Sequence, residues 1–209
     1  MGFDLAESYK SIRDVLAANT GLKAGIVELI VYCESQVPSD VWESLRSLDF
    51  ETDVIALRQW LEKVLSTERP KREIEVFWFG LFNPVLDNGQ ATCGLYVSGS
   101  TNFDLEDETG DWAGWTDDSY LPERRYANSQ VLHNIYSAVA GTEAAGIGEY
   151  VLCLGYACMA IRKVCEEIDP SLLIGDRDTR AVAVGFDSGD FIVLGSVGSD
   201  MRKKPKAGQ

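Results

Sequence analysis

Seven carboxylates crowd the stretch from Asp104 to Asp118: Asp104, Glu106, Asp107, Glu108, Asp111, Asp117 and Asp118, with no lysine or arginine among them. Asp104, Glu106 and Glu108 alternate as oxygen ligands do in a calcium loop. The pattern then breaks, because Thr109 stands at the sixth position where glycine makes the turn and Trp115 at the twelfth where a bidentate glutamate belongs. Two other readings remain for the stretch. It is a solvated acidic loop, or it is a surface for a partner. Trp112, Trp115 and Tyr120 interleave with or follow the acids, and aromatic rings beside charge are a common composition of binding hot spots. On that reading the contact residues are the seven acids together with Trp112, Trp115 and Tyr120. The competing expectation is that the tryptophans fold back and cover the edge of a sheet.

Other chemistry is thin. His133 is the only histidine, which removes every multi-histidine metal motif. A Cys–His site would need one of Cys33, Cys93, Cys153, Cys158 or Cys165, all in apolar contexts where thiols stay protonated. Val97-Ser98-Gly99-Ser100 comes nearest to a nucleophile elbow, but Tyr96 stands where glycine is needed. No Gly-Lys pair exists for a phosphate-binding loop, and Gly146-Ile147-Gly148 is followed by Val151 where a dinucleotide fingerprint has its third glycine. No catalytic residue, cofactor or metal is assigned. Arg124-Arg125-Tyr126 and the stretch from Asp176 to Arg180 mix charges and suit internal ion pairing, or an arginine that anchors the acidic loop.

The whole chain carries the same bias. Among 209 residues, 33 are acidic and 19 basic, a formal net charge of −14. Four of those cations, Arg202, Lys203, Lys204 and Lys206, lie in the last nine residues, which read as a disordered basic tail over 201–209. This balance argues against nucleic acid and against an anionic membrane, both of which need a basic face. It suits solubility, or attraction of a cationic partner. The apolar share is 45% and the charged share 25%, ordinary for a folded chain that builds its own core. Five scattered cysteines suit a reducing compartment. The opening Met1-Gly2-Phe3-Asp4 lacks a basic leader, and the longest apolar run, Tyr150 to Ile161, is too short to span a bilayer, so a cytoplasmic protein is expected.

Helical periodicity dominates the first 70 residues. Residues 4–18 place Leu5, Tyr9, Ile12, Val15 and Leu16 on one face behind an Asp4 cap, with Gly21 as the stop. Residues 22–35 lean to helix, Pro38-Ser39-Asp40 opens a short one, and 51–66 form the clearest, capped by Thr52 or Asp53. The period then changes. Residues 73–81 begin alternating and become wholly apolar, as for a strand at a sheet centre. Asp87-Asn88-Gly89 turns the chain into a partner strand, Ala91 to Ser98, with Cys93, Leu95 and Val97 on one face. Residues 99–125 are irregular. Helices follow over 128–139 and 149–168, the second apolar on all sides in its first half and hence buried. After a charged loop over 169–179, Ala181–Phe186 and Phe191–Leu194 flank Asp187-Ser188-Gly189-Asp190 as a second hairpin. The expectation is one α+β domain over 1–200, with a helical N-terminal part over 1–70 and a sheet-containing part over 71–200, the sheet antiparallel and built of two or more hairpins packed by helices.

The segments Val76 to Pro84, Leu95 to Ser100, Pro122 to Ser129 and Tyr150 to Ala157 together resemble small bacterial immunity proteins found beside polymorphic toxins. The resemblance covers about residues 73–195. It implies a cytoplasmic protein that binds and blocks a cognate toxin, with an acidic surface set against a basic active site. Other classes stay open: a regulatory interaction module, including a homo-oligomer, or an enzyme that gathers His133, a cysteine and acids in one pocket.

Overall fold

The computed structural model describes residues 3–107, 109–187 and 189–198. Glu108, Ser188 and the basic tail 201–209 lie outside the described residues. Helices α1 (Leu5–Ala18), α2 (Leu22–Gln36), α3 (Val41–Leu45) and α4 (Phe50–Thr67) come first. Strands β1 (Val76–Phe82) and β2 (Gly94–Ser100) follow, then a short β3 (Tyr126–Ala127) and α5 (Gln130–Val139). The next helix starts as α6 (Ala145–Ile147), passes through a π-helical stretch, Gly148–Cys153, and continues as α7 (Leu154–Glu167). A short α8 (Pro170–Ile174) precedes β4 (Thr179–Phe186) and β5 (Phe191–Gly198). The Asp169 side chain and Pro170 start α8 inside a stretch whose charges read as loop.

Asp4 caps α1 by accepting from Glu7 N–H at 3.1 Å. The helix ends on Asn19 in the left-handed region (φ 48°), and Gly21 (φ 95°) instead opens α2. Asp49, not Thr52 or Asp53, caps α4. Asp53 lies one turn in and works elsewhere. Its buried carboxylate accepts from Ser129 Oγ (2.7 Å), Gln130 N–H (2.7 Å), Val131 N–H (3.3 Å) and Tyr156 Oη (2.6 Å). It therefore caps α5 from a different helix, and it ties α4 and α7 to that cap.

The sheet has the order β3-β2-β1-β4-β5. Both expected hairpins form, β1 with β2 and β4 with β5, each antiparallel. The expected all-antiparallel sheet is corrected to a mixed one, because the two hairpins join through β1 and β4, which run parallel. Both strands are apolar on both faces, so each is driven to the centre. The helical crossover from α5 to α8 returns the chain to the same end of the sheet, and a return of that kind makes its strands parallel.

One face of the sheet, with Phe77, Phe79, Leu81, Leu95, Val97, Val182 and Val184, shares a single core with α1 to α8. The other face carries Val76, Trp78, Tyr96, Ala181 and Ala183, and segment 101–119 covers it with Phe103, Trp112 and Ala113. Rings lie flat across its middle. A Cβ at Gly80 would sit 2.3 Å from the Tyr96 ring, and one at Gly185 would sit 2.7 Å from Trp78. Arg180 is buried at the root of β4, with no carboxylate partner among the described residues. Its guanidinium donates to the carbonyls of Ile74 (2.8 Å), Leu173 (2.5 Å) and Lys71 (3.2 Å) and lies over the Phe77 ring. Burial holds its pKa down to about 10.

Asp53→Ala removes an acceptor from four donors and should lower unfolding free energy by about 3 kcal/mol or more. Urea denaturation measures it. A loss below about 1 kcal/mol would show that water replaces the carboxylate at the α5 N-terminus.

Candidate functional site

Segment 101–119 leaves β2 and returns to the same edge of it. Gly99 and Tyr120 close its base, each donating its N–H to the other's carbonyl at 3.0 and 2.8 Å. Inside the segment the polar groups serve each other. Asp104 accepts from Glu106 N–H at 2.9 Å. Asp107 accepts from Thr109 N–H (2.8 Å) and Oγ1 (2.6 Å), and the hydroxyl and amide bonds of Thr109 hold its pKa below the ordinary value. These are side-chain turns of the Asx kind. They spend Asp104, the first acid of the calcium-like pattern, and its neighbour Asp107 on backbone and hydroxyl donors. Among the described residues no three His, Cys, Asp or Glu side chains gather as a metal site.

Asp104, Glu106, Asp107, Asp111, Asp117 and Asp118 share a second property. Among the described residues, no lysine or arginine forms an ion pair with any of them, whereas acids on the helices, and Glu75 just before β1, pair with Lys10, Arg46, Arg58, Lys163 and Arg177. Among the described residues, the segment's negative charge is therefore uncompensated at short range.

The three aromatic candidates separate. Trp112 is buried, edge-on to Phe103 (5.1 Å), Phe191 (5.5 Å) and Trp78 (5.8 Å), and plugs the outer face of the sheet. Its indole N–H is buried without a partner among the described residues. Tyr120 is buried too. Its hydroxyl donates to Glu68 O at 2.6 Å, and burial pushes its pKa up. Both expected contact residues are thus interior, and folding back over the sheet is the reading that holds for Trp112. Trp115 is 50% exposed and stands edge-on to Tyr96.

Tyr126, which the sequence reading left out, completes the surface. It is also 50% exposed and packs against Phe82 (5.4 Å) and Tyr96 (6.2 Å). Arg125 lies over both exposed rings, 5.6 Å from Trp115 and 4.8 Å from Tyr126. An arginine does steady the acidic segment, but through an aromatic ring rather than a carboxylate. Below them Tyr96 donates its hydroxyl to Asp187 Oδ1 (2.5 Å) and accepts from Trp78 Nε1 (3.1 Å), which fixes the ring supporting Trp115 and Tyr126. Burial pushes the Tyr96 phenol up, so it stays a donor. Leu105 and Leu121 are exposed on the same segment and its continuation.

The groups an enzyme would need stand elsewhere. His133 Nδ1 is 2.9 Å from Thr92 Oγ1, and Glu149 accepts from Asn83. Cys153 is buried, and hydrogen bonding with Cys93 together with burial raises its pKa well above the thiol range. Burial pushes Cys33 and Cys165 up to about 12. These thiols are poor nucleophiles. A cavity of about 290 Å³ lies between the α1–α2 turn and α7, and a groove of about 530 Å³ between α4 and β3; neither is lined by His133 or a cysteine.

Comparison with protein-family models, curated proteins and solved structures finds no match. The site therefore rests on its own geometry.

Trp112→Ala should destabilise the fold by about 3 kcal/mol, as for a large buried ring, while Trp115→Ala should cost under about 1 kcal/mol. Thermal and urea unfolding of the two variants separate plug from surface. A second expectation concerns Glu68, which accepts from Glu123 N–H (2.6 Å), Arg124 N–H (3.4 Å) and Arg124 Nη1 (3.3 Å). The Glu123 bond chiefly, then those of Arg124, lowers its pKa from 4.5. A depressed carboxylate contributes stability above its unfolded pKa and loses it as pH falls through the folded value. The Glu123 amide resonance should titrate with a midpoint below 4.5, and Glu68→Gln should abolish that titration.

Proposed function

We propose that this chain is a binding protein for a cationic protein partner, acting as an immunity protein that occludes the basic active site of a cognate toxin. The observation that carries the reading is the pairing of unneutralised charge with half-exposed aromatics. Among the described residues, six carboxylates of segment 101–119 have no basic partner, and Trp115 within the segment and Tyr126 beside it stand on a ring of fixed orientation. Charge of one sign raises the rate at which an opposite surface arrives. Rigid aromatic rings, once covered, hold it.

The division of labour is physical. Asp104, Glu106, Asp107, Asp111, Asp117 and Asp118 are solvated or partly so, and a rim charge works mainly through encounter. Trp115 and Tyr126 are the anchors, because they have area left to bury and little freedom to lose. The resemblance to immunity proteins supplies the class of partner. The charge and the aromatics supply the means by which such a partner would be recognised. Localisation in the cytoplasm belongs to the same proposal. Among the described residues no helix is long and apolar enough to cross a membrane.

Surface plasmon resonance against a candidate cognate toxin domain with a basic active site tests the reading. Replacing the six acids by their amides should slow association at least about tenfold at low salt and converge with wild type at high salt. Trp115→Ala should instead speed dissociation, weakening binding by about 2 kcal/mol. Unchanged kinetics in both variants would move the contact surface away from this segment.

A further inference from the structure

Two of the five cysteines stand against each other at the end of the sheet where β1 passes into β2. Asn83, the residue after β1, brings them together. Its side-chain amide donates to Thr92 O (3.4 Å) and to Glu149 Oε1 (2.9 Å), so the chain next to Thr92 meets the helical stretch that carries Glu149. Cys93 follows Thr92. Cys153 lies four residues beyond Glu149, hence on the same face, and closes the π-helical part of that stretch. The contact of Thr92 Oγ1 with His133 Nδ1 (2.9 Å) holds α5 to the same place. The two thiols form a directed chain. Hydrogen bonding with Cys93 favours the protonated form of Cys153, so Cys153 is the donor of the pair. Cys93 Sγ in turn lies 3.9 Å from Gly94 O and donates to it. Cys153 is wholly buried, whereas Cys93 keeps 4% of its surface next to the exposed turn 85–91. For Cys33, Cys158 and Cys165 burial is the first cause of the raised pKa, and no second thiol contributes.

We infer that Cys93 and Cys153 form a peroxide-responsive dithiol, in which Cys93 is oxidised first and Cys153 closes the disulfide. The order follows from the contacts. A thiolate at Cys93 keeps the S–H donation of Cys153, while the Glu149 carboxylate beside Cys153 disfavours a thiolate there. The small opening at Cys93 admits a molecule the size of hydrogen peroxide and excludes a bulky oxidant. In the first step the Cys93 sulfur takes one peroxide oxygen as a sulfenic acid. The O–O bond breaks, and the thiol proton leaves with the other oxygen as water. In the second step the Cys153 sulfur attacks the Cys93 sulfur. The S–O bond breaks, the S–S bond forms, and the Cys153 proton leaves with the hydroxyl as a second water. The two thiols lose two electrons and the peroxide gains them. The link joins the start of β2 to the helical layer and closes a loop that holds β2, segment 101–119, β3 and α5. Closing a long loop restricts the unfolded chain and stabilises the fold. In a reducing compartment the thiol form is the resting one, so the pair is a reversible lock rather than a permanent staple. The lock does not depend on the binding function proposed above.

For the test, the full chain is reduced, folded and treated with hydrogen peroxide, and the remaining thiols are then alkylated in denaturant without reductant. Peptide mass mapping should join the peptides that hold Cys93 and Cys153 and leave Cys33, Cys158 and Cys165 alkylated, and dithiothreitol should undo the link. The linked form should melt about 5 °C or more above the reduced one. Cys153→Ala should stop at a Cys93 sulfenic acid that dimedone traps, and Cys93→Ala should leave Cys153 a free thiol. In the unaltered chain, Cys93 carried on to the sulfinic acid while Cys153 stays a thiol would overturn the pairing. So would a link between any other two cysteines, or all five thiols still open to alkylation after peroxide. The mapping is made on the unaltered chain, so it decides the matter even where a variant fails to fold.

Discussion

The buried carboxylate of Asp53 is the constraint on which the helical layer depends. A charge away from water is tolerated only when its lone pairs are filled by hydrogen-bond donors. Here the donors come from three places: the first amides of α5, the Ser129 hydroxyl and the Tyr156 hydroxyl. Ser129 Oγ also accepts from Leu132 N–H, so the cap is shared between two side chains from distant parts of the sequence. Satisfying Asp53 fixes α5 and α7 against α4. Since α4 also forms a wall of the groove at β3, the position of that groove follows from the same interaction.

The sheet poses the complementary problem. A central parallel pair must be covered on both faces, yet α1 to α8 all pack on one. The outer face is closed by segment 101–119, which has little regular structure and turns inward chiefly with rings. Trp112 is pressed into a floor kept shallow by Gly80, Ala181, Ala183 and Gly185. With its apolar side chains turned in, the segment presents its acids outward. One stretch of chain thereby completes the core and forms the acidic surface. The burial of Trp112 and the outward placement of the acids have one cause.

The local elements were legible because their signals are local. The Asp4 cap, the helical stripes and the Asp87-Asn88-Gly89 turn depend on residues within a few positions of one another, and the structure keeps them. Some errors were local: Asn19 rather than Gly21 ends α1, Asp49 caps α4, and Asp169-Pro170 opens a helix where a loop was expected. The larger ones crossed long distances in sequence. Asp53 sits where a first-turn cap belongs, but its partners begin 76 residues later. The parallel joining of the two hairpins is fixed by a crossover that composition does not encode. Trp112 and Trp115 are three residues apart in similar surroundings, and only the sheet beneath them decides that one is buried and the other half-exposed. Tyr126 reads in the sequence only as part of a mixed-charge stretch, because a two-residue strand is too short to show alternation.

The placement of Tyr126 links these strands of argument. Its ring belongs to the outer face, supported by Tyr96 and Phe82, while its main chain faces the groove on the α4 side. Arg125 beside it is held by cation–π contact with both exposed rings, and its Nη1 donates to Pro122 O. It therefore braces the surface without neutralising the acids, which a salt bridge would have done. An exposed edge is normally blunted by charge or by shortness. This one is short, and the long acidic segment leads into it. Arg124 next to it has its N–H taken by Glu68 and its carbonyl by Trp60, so α4 and the residue that follows it cover this edge up to Tyr126. The edge is thus closed by side chains of the helical layer, and the same helix that holds Asp53 shields it.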